Sequence, residues 1–317
     1  MPLYLTESDV DAVADMPLAI KAVEASLARQ GRGESSNIGR QRARIPAGTL
    51  HLMGGADQEL GAGGAKIYSS FKSGQTTFVV ILFDIATGTL RAVIEAGRLG
   101  ELRTGAASGV SSKHLARAES QTVGILGSGR QARTQLEALS LVHDLEEVRV
   151  YSRDPDNVRS FILDVEQKID VKMTAASSPA SALDSVDLVI TSTTASTPIL
   201  TSEHLEPGMH VVAMGSNNPA HAELTPDAIA HTDRVFVDDL NGAQLECGDL
   251  IAAVQSGRFQ WGQAIELGRV VAGEVDGRTT NDEITLFESQ GIALWDISLA
   301  QAVVERASVA GRGSEIP

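Results

Sequence analysis

The chain has a single cysteine, Cys247, among its 317 residues. One thiol rules out an intrachain disulfide, and no Cys/His cluster has zinc spacing. No histidine stands beside it in "LECGDL", so Cys247 reads as a small structural thiol rather than a nucleophile. Aromatic residues are scarce at 4%, so the core must rest on Ala, Val, Leu and Ile. Basic charge is in deficit. A net charge of −15 argues against nucleic acid and anionic membrane as partners, because both need a basic surface. Long apolar runs are missing too: "TFVVILFDIA" is far too short to span a bilayer and is interrupted by Asp84. The start, "MPLYLTESDVDAVADM", has no basic segment leading into an apolar one, so a cytoplasmic location is expected and a signal peptide is not.

What remains is a globular composition, 43% apolar, long enough for one large domain or two ordinary ones. Thr6 to Arg29 carries apolar residues at helical spacing (Val10, Val13, Met16/Leu18, Ala22, Val23, Leu27), with Thr6 or Ser8 as N-cap and "GRG" at 31–33 as the stop. Residues 37–94 change rhythm. "RARI", "TLHLM", "AKIYSSF", "TTFVVILFD" and "TLRAVI" are short, β-rich and divided by glycines and turns, which predicts an antiparallel meander. "EAGRLGELRTGAASGVSSKHLAR" then reads as a long helix or helix pair, small-residued and therefore closely packed.

From Gln121 onward strands alternate with helices. "TVGIL", "EVRVY", "VKMT", "DLVIT", "HVVAM" and "RVFVD" are apolar rather than alternating, as in strands buried on both faces. The expected class is α/β: a Rossmann-type doubly wound parallel sheet plus a mixed α/β domain. The boundaries are set at 1–118 and 119–290. The last helix, in "GIALWDISLAQAVVERA", lies within 291–317 and returns to the first domain.

The sharpest motif is "TVGILGSGRQARTQLEAL". Gly127-Ser128-Gly129-Arg130-Gln131-Ala132 fits G-x-G-x-x-A between a strand and a helix, the setting of a dinucleotide fingerprint. Gly127 permits the tight turn, Gly129 lets a pyrophosphate approach, and Ala132 lets helix and strand pack. The free N–H groups of the helix start then face phosphates. The next strand ends at Tyr151-Ser152-Arg153, with Asp154 one step later. An acid at this tip suits the ribose hydroxyl of NAD, whereas Ser152 and Arg153 suit the 2′-phosphate of NADP; NADP(H) is favoured over NAD(H). Thr191, Thr193 and Thr194, after another strand, are candidates for the nicotinamide side.

These segments together resemble the ornithine cyclodeaminase/mu-crystallin family. The resemblance runs through "RQRAR", "AGGAKIYSS", "ELRTGAASGVSSKHLAR", "GILGSGRQA", "MGSNNPAHAEL" and "TLFESQGIALWDISLA". It implies a homodimer whose first domain supplies the dimer interface and the substrate pocket. It also implies a small imino- or amino-acid substrate. By position, Arg42, Lys66 and Arg103 match the basic residues around the substrate carboxylate, with Arg103 and Thr104 also toward the cofactor. Ser289 and Gln290 match a segment that closes over cofactor and substrate. Met214, Gly215 and Ser216 fall at the nicotinamide edge, and His221 at a position often Lys in the family. An Arg–carboxylate pair both neutralises and orients a substrate. A Lys among cations has a lowered pKa and can exchange a proton near neutrality.

One position departs from the family pattern. Cyclodeaminases and the archaeal alanine dehydrogenases of the family carry Asp where this chain has Asn217. An amide cannot take a proton from an amine. Three readings follow. The favoured one is an NAD(P)H-dependent ketimine or imino-acid reductase, or amino-acid dehydrogenase, with Lys66 and Asn217 at the chemistry. The second is ornithine cyclodeamination to proline and ammonia with recycled NAD. The third is an NADPH-holding protein of crystallin type. His51 in "TLHLM" reads as structural, Asp238 and Asp239 as helix-capping or solvent-facing acids rather than metal ligands, and Trp295 as helix packing.

Overall fold

The computed structural model describes residues 1–72, 74 and 76–316. In chain order it opens with β1 (Leu3–Leu5), α1 (Glu7–Val13), α2 (Met16–Gly31), β2 (Ser35–Ile45), β3 (Gly48–Asp57), β4 (Ala62–Phe71), β5 (Phe78–Asp84), β6 (Leu90–Glu95) and α3 (Gly97–Leu115). There follow β7 (Thr122–Leu126), α4 (Arg130–Leu139), β8 (Glu147–Tyr151), α5 (Pro155–Glu166), β9 (Lys172–Ala175), α6 (Pro179–Leu183), β10 (Leu188–Thr191) and β11 (His210–Ala213). The rest is α7 (Pro226–His231), β12 (Arg234–Val237), α8 (Leu240–Glu246), α9 (Gly248–Gln255), β13 (Ala264–Glu266), α10 (Leu267–Val271), β14 (Thr285–Glu288), α11 (Ala293–Val309) and β15 (Ser314–Glu315). Two compact units result, Met1–Ala106 with Ile292–Pro317, and Ala107–Gly291. The division falls inside α3, not at 118/119.

The N-terminal helical stretch is two helices rather than one. Thr6 caps α1 in a capping box with Asp9, and Ala14 is extended (φ −102°, ψ 131°). Asp15 then accepts from the Leu18 N–H at 2.8 Å, with Pro17 in the first turn of α2. Asp15 and Pro17 form a second start signal inside an apolar pattern that looks continuous.

The first unit holds a seven-stranded sheet of order β15-β1-β6-β5-β4-β3-β2. β2 to β6 form the expected antiparallel meander; β1 adds in parallel to β6, and β15 antiparallel to β1. Side chains alternate between faces. Met53, Lys66, Val80, Leu82 and Ile94 are buried, whereas Leu50, Leu52 and Phe83 on the opposite face are exposed. α11 packs on α2 and on β2 to β5. Its approach is close, since a Cβ on Gly55 would lie 2.9 Å from Leu294. Arg29 of α2 ties this layer together, pairing with Asp57 at 2.6 Å and donating to Ser298 of α11 at 3.3 Å.

The second unit is an eight-stranded parallel sheet of order β13-β12-β14-β11-β10-β7-β8-β9. Every residue of β10, β11 and β14 is buried, so these strands show no polar–apolar alternation, and even Thr191, His210, Thr285 and Glu288 are covered. The six strands read from the sequence are all present, and β13 and β14 are additional. The strand order turns at β7, with β8 on one side and β10 on the other. At such a switch point the loops diverge and leave a crevice at the carboxyl ends of the strands.

Candidate active site

The crevice is built by the turn after β7. Gly127 has φ +108°, a conformation that L side chains rarely adopt, and a Cβ there would lie 2.2 Å from the Ser192 carbonyl oxygen. A Cβ on Gly129 would meet nothing within 4 Å, so its backbone faces open space. Gly129 is also the N-cap of α4 and makes no side-chain capping bond, which leaves first-turn N–H groups for an anion. Ala132 is fully buried in the core beneath, in one cluster with Val123, Ile125 and Leu136. In front lies a cavity of about 520 Å³, lined by Gly127, Ser128, Gly129, Tyr151, Ser152, Arg153, Asn157, the segment 192–197 and Ile199.

Seven residues assigned to the cofactor from the sequence thus meet at one cavity: Gly127, Ser128, Gly129, Ser152, Arg153, Thr193 and Thr194. Asp154 is absent from its lining. It caps α5, accepting from the Asp156 N–H at 2.9 Å and from Asn157 Nδ2 at 3.3 Å. Arg130, Gln131, Ala132, Met214, Gly215, Ser216, His221 and Ser289 do not line this cavity.

The loop after β11 carries Ser216 and Asn217, both half-buried. Ser216 Oγ accepts from the Asn218 N–H at 3.1 Å, and Asn218 Oδ1 from the Ala220 N–H at 3.1 Å. Asn218 is therefore a turn residue. Met214 Sδ accepts from Ser108 Oγ at 2.9 Å. The carbonyl of His221 seats against Gly248, where a Cβ would come within 1.9 Å.

Asp238 corrects its reading as a solvent-facing or capping acid: it is 1% exposed, and it is Asp239 that caps α8. Asp238 Oδ2 accepts from Ser289 Oγ (2.7 Å), Gln290 N (3.0 Å) and Gly291 N (2.7 Å). Burial lifts its carboxyl up to about 6, although those donors pull it down. It pins the turn that follows β14. Among the described residues, Cys247, Asp249 and Glu288 bring their donor atoms within 4.8 Å of one another. All three are buried, and burial pushes the Cys247 thiol well up, so it is no nucleophile.

In the first unit the basic residues converge on an acid that sequence reasoning missed, Asp296 of α11. Lys66 Nζ donates to its Oδ1 at 2.7 Å and Arg103 Nε to the same oxygen at 3.2 Å. Asp296 is fully buried, Lys66 3% exposed and Arg103 9%. Lys66 Nζ also lies 5.5 Å from the Phe78 ring centre, and a Cβ on Gly100 would come within 3.1 Å of it. Burial pulls Lys66 down to about 8, with Asp296 opposing and Arg103 adding to the fall. Two cations on one carboxylate leave a net positive site. Thr104 is tied to the Gly100 carbonyl at 2.7 Å.

Arg42 stands opposite His51 across β2 and β3, on the face that carries Lys66. His51 stacks on Tyr68 with centroids 4.2 Å apart, and its Nε2 meets Ser70 Oγ at 2.8 Å. Burial, helped by Arg42, Arg40 and Arg44, holds His51 down to about 4, so it is neutral at pH 7. Trp295 is fully buried.

The model of the ornithine cyclodeaminase/mu-crystallin family matches residues 2–311. The chain belongs to that family. A Delta(1)-pyrroline-2-carboxylate reductase of Bacillus cereus is 35% identical over 303 residues, 92% of this chain and 93% of that one. The solved structure of the Thermococcus litoralis Delta(1)-pyrroline-2-carboxylate reductase, in complex with NADH and L-proline, is similar with a TM-score of 0.94. Its identity is 30%, with 99% of this chain and 100% of that chain covered. An archaeal alanine dehydrogenase dimer with bound NAD has a TM-score of 0.93 at 31% identity, over 100% of this chain and 99% of that chain. Within this family frame Asp296 is the residue to probe. Asp296→Asn leaves two buried cations without their anion and is expected to destabilise the protein by about 3–5 kcal/mol in urea unfolding. It should also lower the Lys66 pKa further; an unchanged unfolding midpoint would show that the pair is not the anchor described.

Proposed function

We propose that this protein is an NAD(P)H-dependent reductase of an imino acid or cyclic ketimine carboxylate. The observation that carries the reading is Lys66. A buried ammonium on Asp296, held down to about 8, keeps its proton at neutral pH and yields it readily. Asn217 supports it further, since an amide is no base for the amine deprotonation a cyclodeaminase needs.

The residues fit a dinucleotide. Gly129 leaves open space over the start of α4, and the cavity beyond is lined by hydroxyls and Arg153. When bound, the nicotinamide supplies a hydride to the imine carbon. Lys66 gives its proton to the imine nitrogen, directly or through a water, so that C=N becomes HC–NH. Arg42 and Lys66 hold the substrate carboxylate, Arg103 holds Asp296 in place, and Asn217 and Gln290 orient polar groups by hydrogen bonds alone. Ser289, with Gln290, closes on the cofactor in this reading, and Asp238 sets their turn.

A panel of pyrroline- and piperideine-2-carboxylate and open-chain imino acids, run with NADH and NADPH, tests the reaction. Reduction is expected to fall as pH rises through about 8, where Lys66 loses its proton, and the reverse amine oxidation to rise over the same range. Lys66→Met should cost about 100-fold or more in kcat/KM. Ammonia release from ornithine with catalytic NAD, and no imine reduction, would overturn the reading in favour of cyclodeamination. Tight NADPH binding without any turnover would favour the crystallin-type role.

NADP(H) is the preferred cofactor in this proposal, because Ser152 and Arg153 line the cavity whereas Asp154 is spent on capping α5. Arg153→Ala is expected to raise the KM for NADPH by about ten- to a hundredfold and to leave that for NADH within a few-fold. Equal effects on both would reverse the assignment.

The protein also acts as a homodimer in this reading. Leu50, Leu52 and Phe83 are 36–40% exposed on the sheet face opposite α11, alongside half-buried Ile67, Val79 and Ile81. Light scattering should give twice the 33.4 kDa chain mass, and Leu52→Lys with Phe83→Glu should give monomers. A monomeric parent would refute the assembly.

A further inference from the structure

The segment 192–197 supplies six lining residues of the cofactor cavity, yet none of the motifs says what shapes it. Its anchor is Glu223, which lies far along the chain and is 2% exposed. Thr193 N donates to Glu223 Oε1 at 2.7 Å and Thr191 Oγ1 to Oε2 at 3.0 Å. The acid is itself held. Its backbone N–H and that of Leu224 donate to Asp249 Oδ1 at 2.7 and 2.6 Å, and its carbonyl accepts from Ile199 and Leu200. Gly215 makes room for it, because a Cβ there would lie 2.0 Å from Glu223 Oε2. The absence of a side chain at 215 thus serves a buried carboxylate.

We infer that Glu223 is a positioning residue for the cofactor: it fixes the loop after β10 against the phosphate turn. The coupling is steric. Gly127 has no space for a Cβ because Ser192 O would lie 2.2 Å away and Thr193 Cγ2 3.1 Å away. Thr193 released from Glu223 therefore shifts against the turn that receives the pyrophosphate, or away from the cavity it lines. The Thr193 N–H also loses its acceptor, which penalises the bound shape of the loop. Burial lifts the Glu223 carboxyl up to about 7, with Asp249 adding to the rise, so the comparison is made at pH 8, where the carboxylate form prevails.

The inference rests on the cofactor reading above. Its test is calorimetric binding of NADH and NADPH to the full-length protein, together with steady-state kinetics. Glu223→Ala is expected to weaken nucleotide binding by about ten- to a hundredfold, with kcat at saturating cofactor and the imine KM within a few-fold of the parent. Glu223→Gln should recover most of the affinity: its oxygen accepts from Thr193 N and the Thr191 hydroxyl turns to accept from its amide. Thr191→Val removes one donor with little change of volume, and is expected to weaken binding about three- to tenfold if Glu223→Ala does not fold. Parent-like nucleotide affinity in Glu223→Ala, or in Thr191→Val should that variant alone fold, would overturn the inference alone. So would a uniform loss of kcat and both KM values that Glu223→Gln fails to restore. Failure of the parent to bind either nucleotide would remove the cofactor reading and this inference with it.

Discussion

A carboxylate in the last helix neutralises a lysine in the fourth strand, and the first unit is organised around that contact. Lys66 is buried to within 3% of its surface, and Asp296 supplies the opposite charge at 2.7 Å. An ammonium with its desolvation uncompensated would not be tolerated in that layer. The pair therefore demands that α11 return to the sheet. The same helix receives Arg103 of α3 on the shared oxygen and Arg29 of α2 on Ser298 close by. What fixes the fold here also fixes the proposed proton donor, so the chemistry is bound to the scaffold rather than laid upon it.

The second unit applies a related device with different groups. Three buried acids, Asp238, Glu223 and Asp249, each accept backbone N–H bonds from loops of the parallel-sheet unit. A carboxylate has two acceptor oxygens and can take several loop amides at once. Of these loops the one held by Glu223 lines the cavity.

Local signals were legible in the sequence and long-range partners were not. The turn from Gly127 to Ala132 can be read because strand, glycines and helix are contiguous and each has its own steric reason. The meander and the six strands of the parallel sheet are visible from period and turn residues alone. β14 escaped because four residues are too few to carry a period, and its place between β11 and β12 is set by neighbours distant in sequence. Asp296 escaped because an acid in the first turn of a helix looks like an ordinary dipole partner, and nothing in its surroundings names Lys66, 230 residues away. Glu223 sat in "AHAEL" as one charge among small residues, and Asp238 passed for a cap beside Asp239, which is one.

The position of β14 has a consequence for how the chain matures. It is the last strand of the second sheet to be made, yet it lies inside that sheet, flanked by β11 and β12. Until Thr285–Glu288 is available, β11 and β12 have no common neighbour, and their inner edges expose unpaired backbone groups. A chain that lacks this segment thus has no strand to fill the place between β11 and β12. Parallel pairing at such separation is slow. The sheet is therefore complete only when this one short strand, and not merely the conspicuous nucleotide motif, is in place.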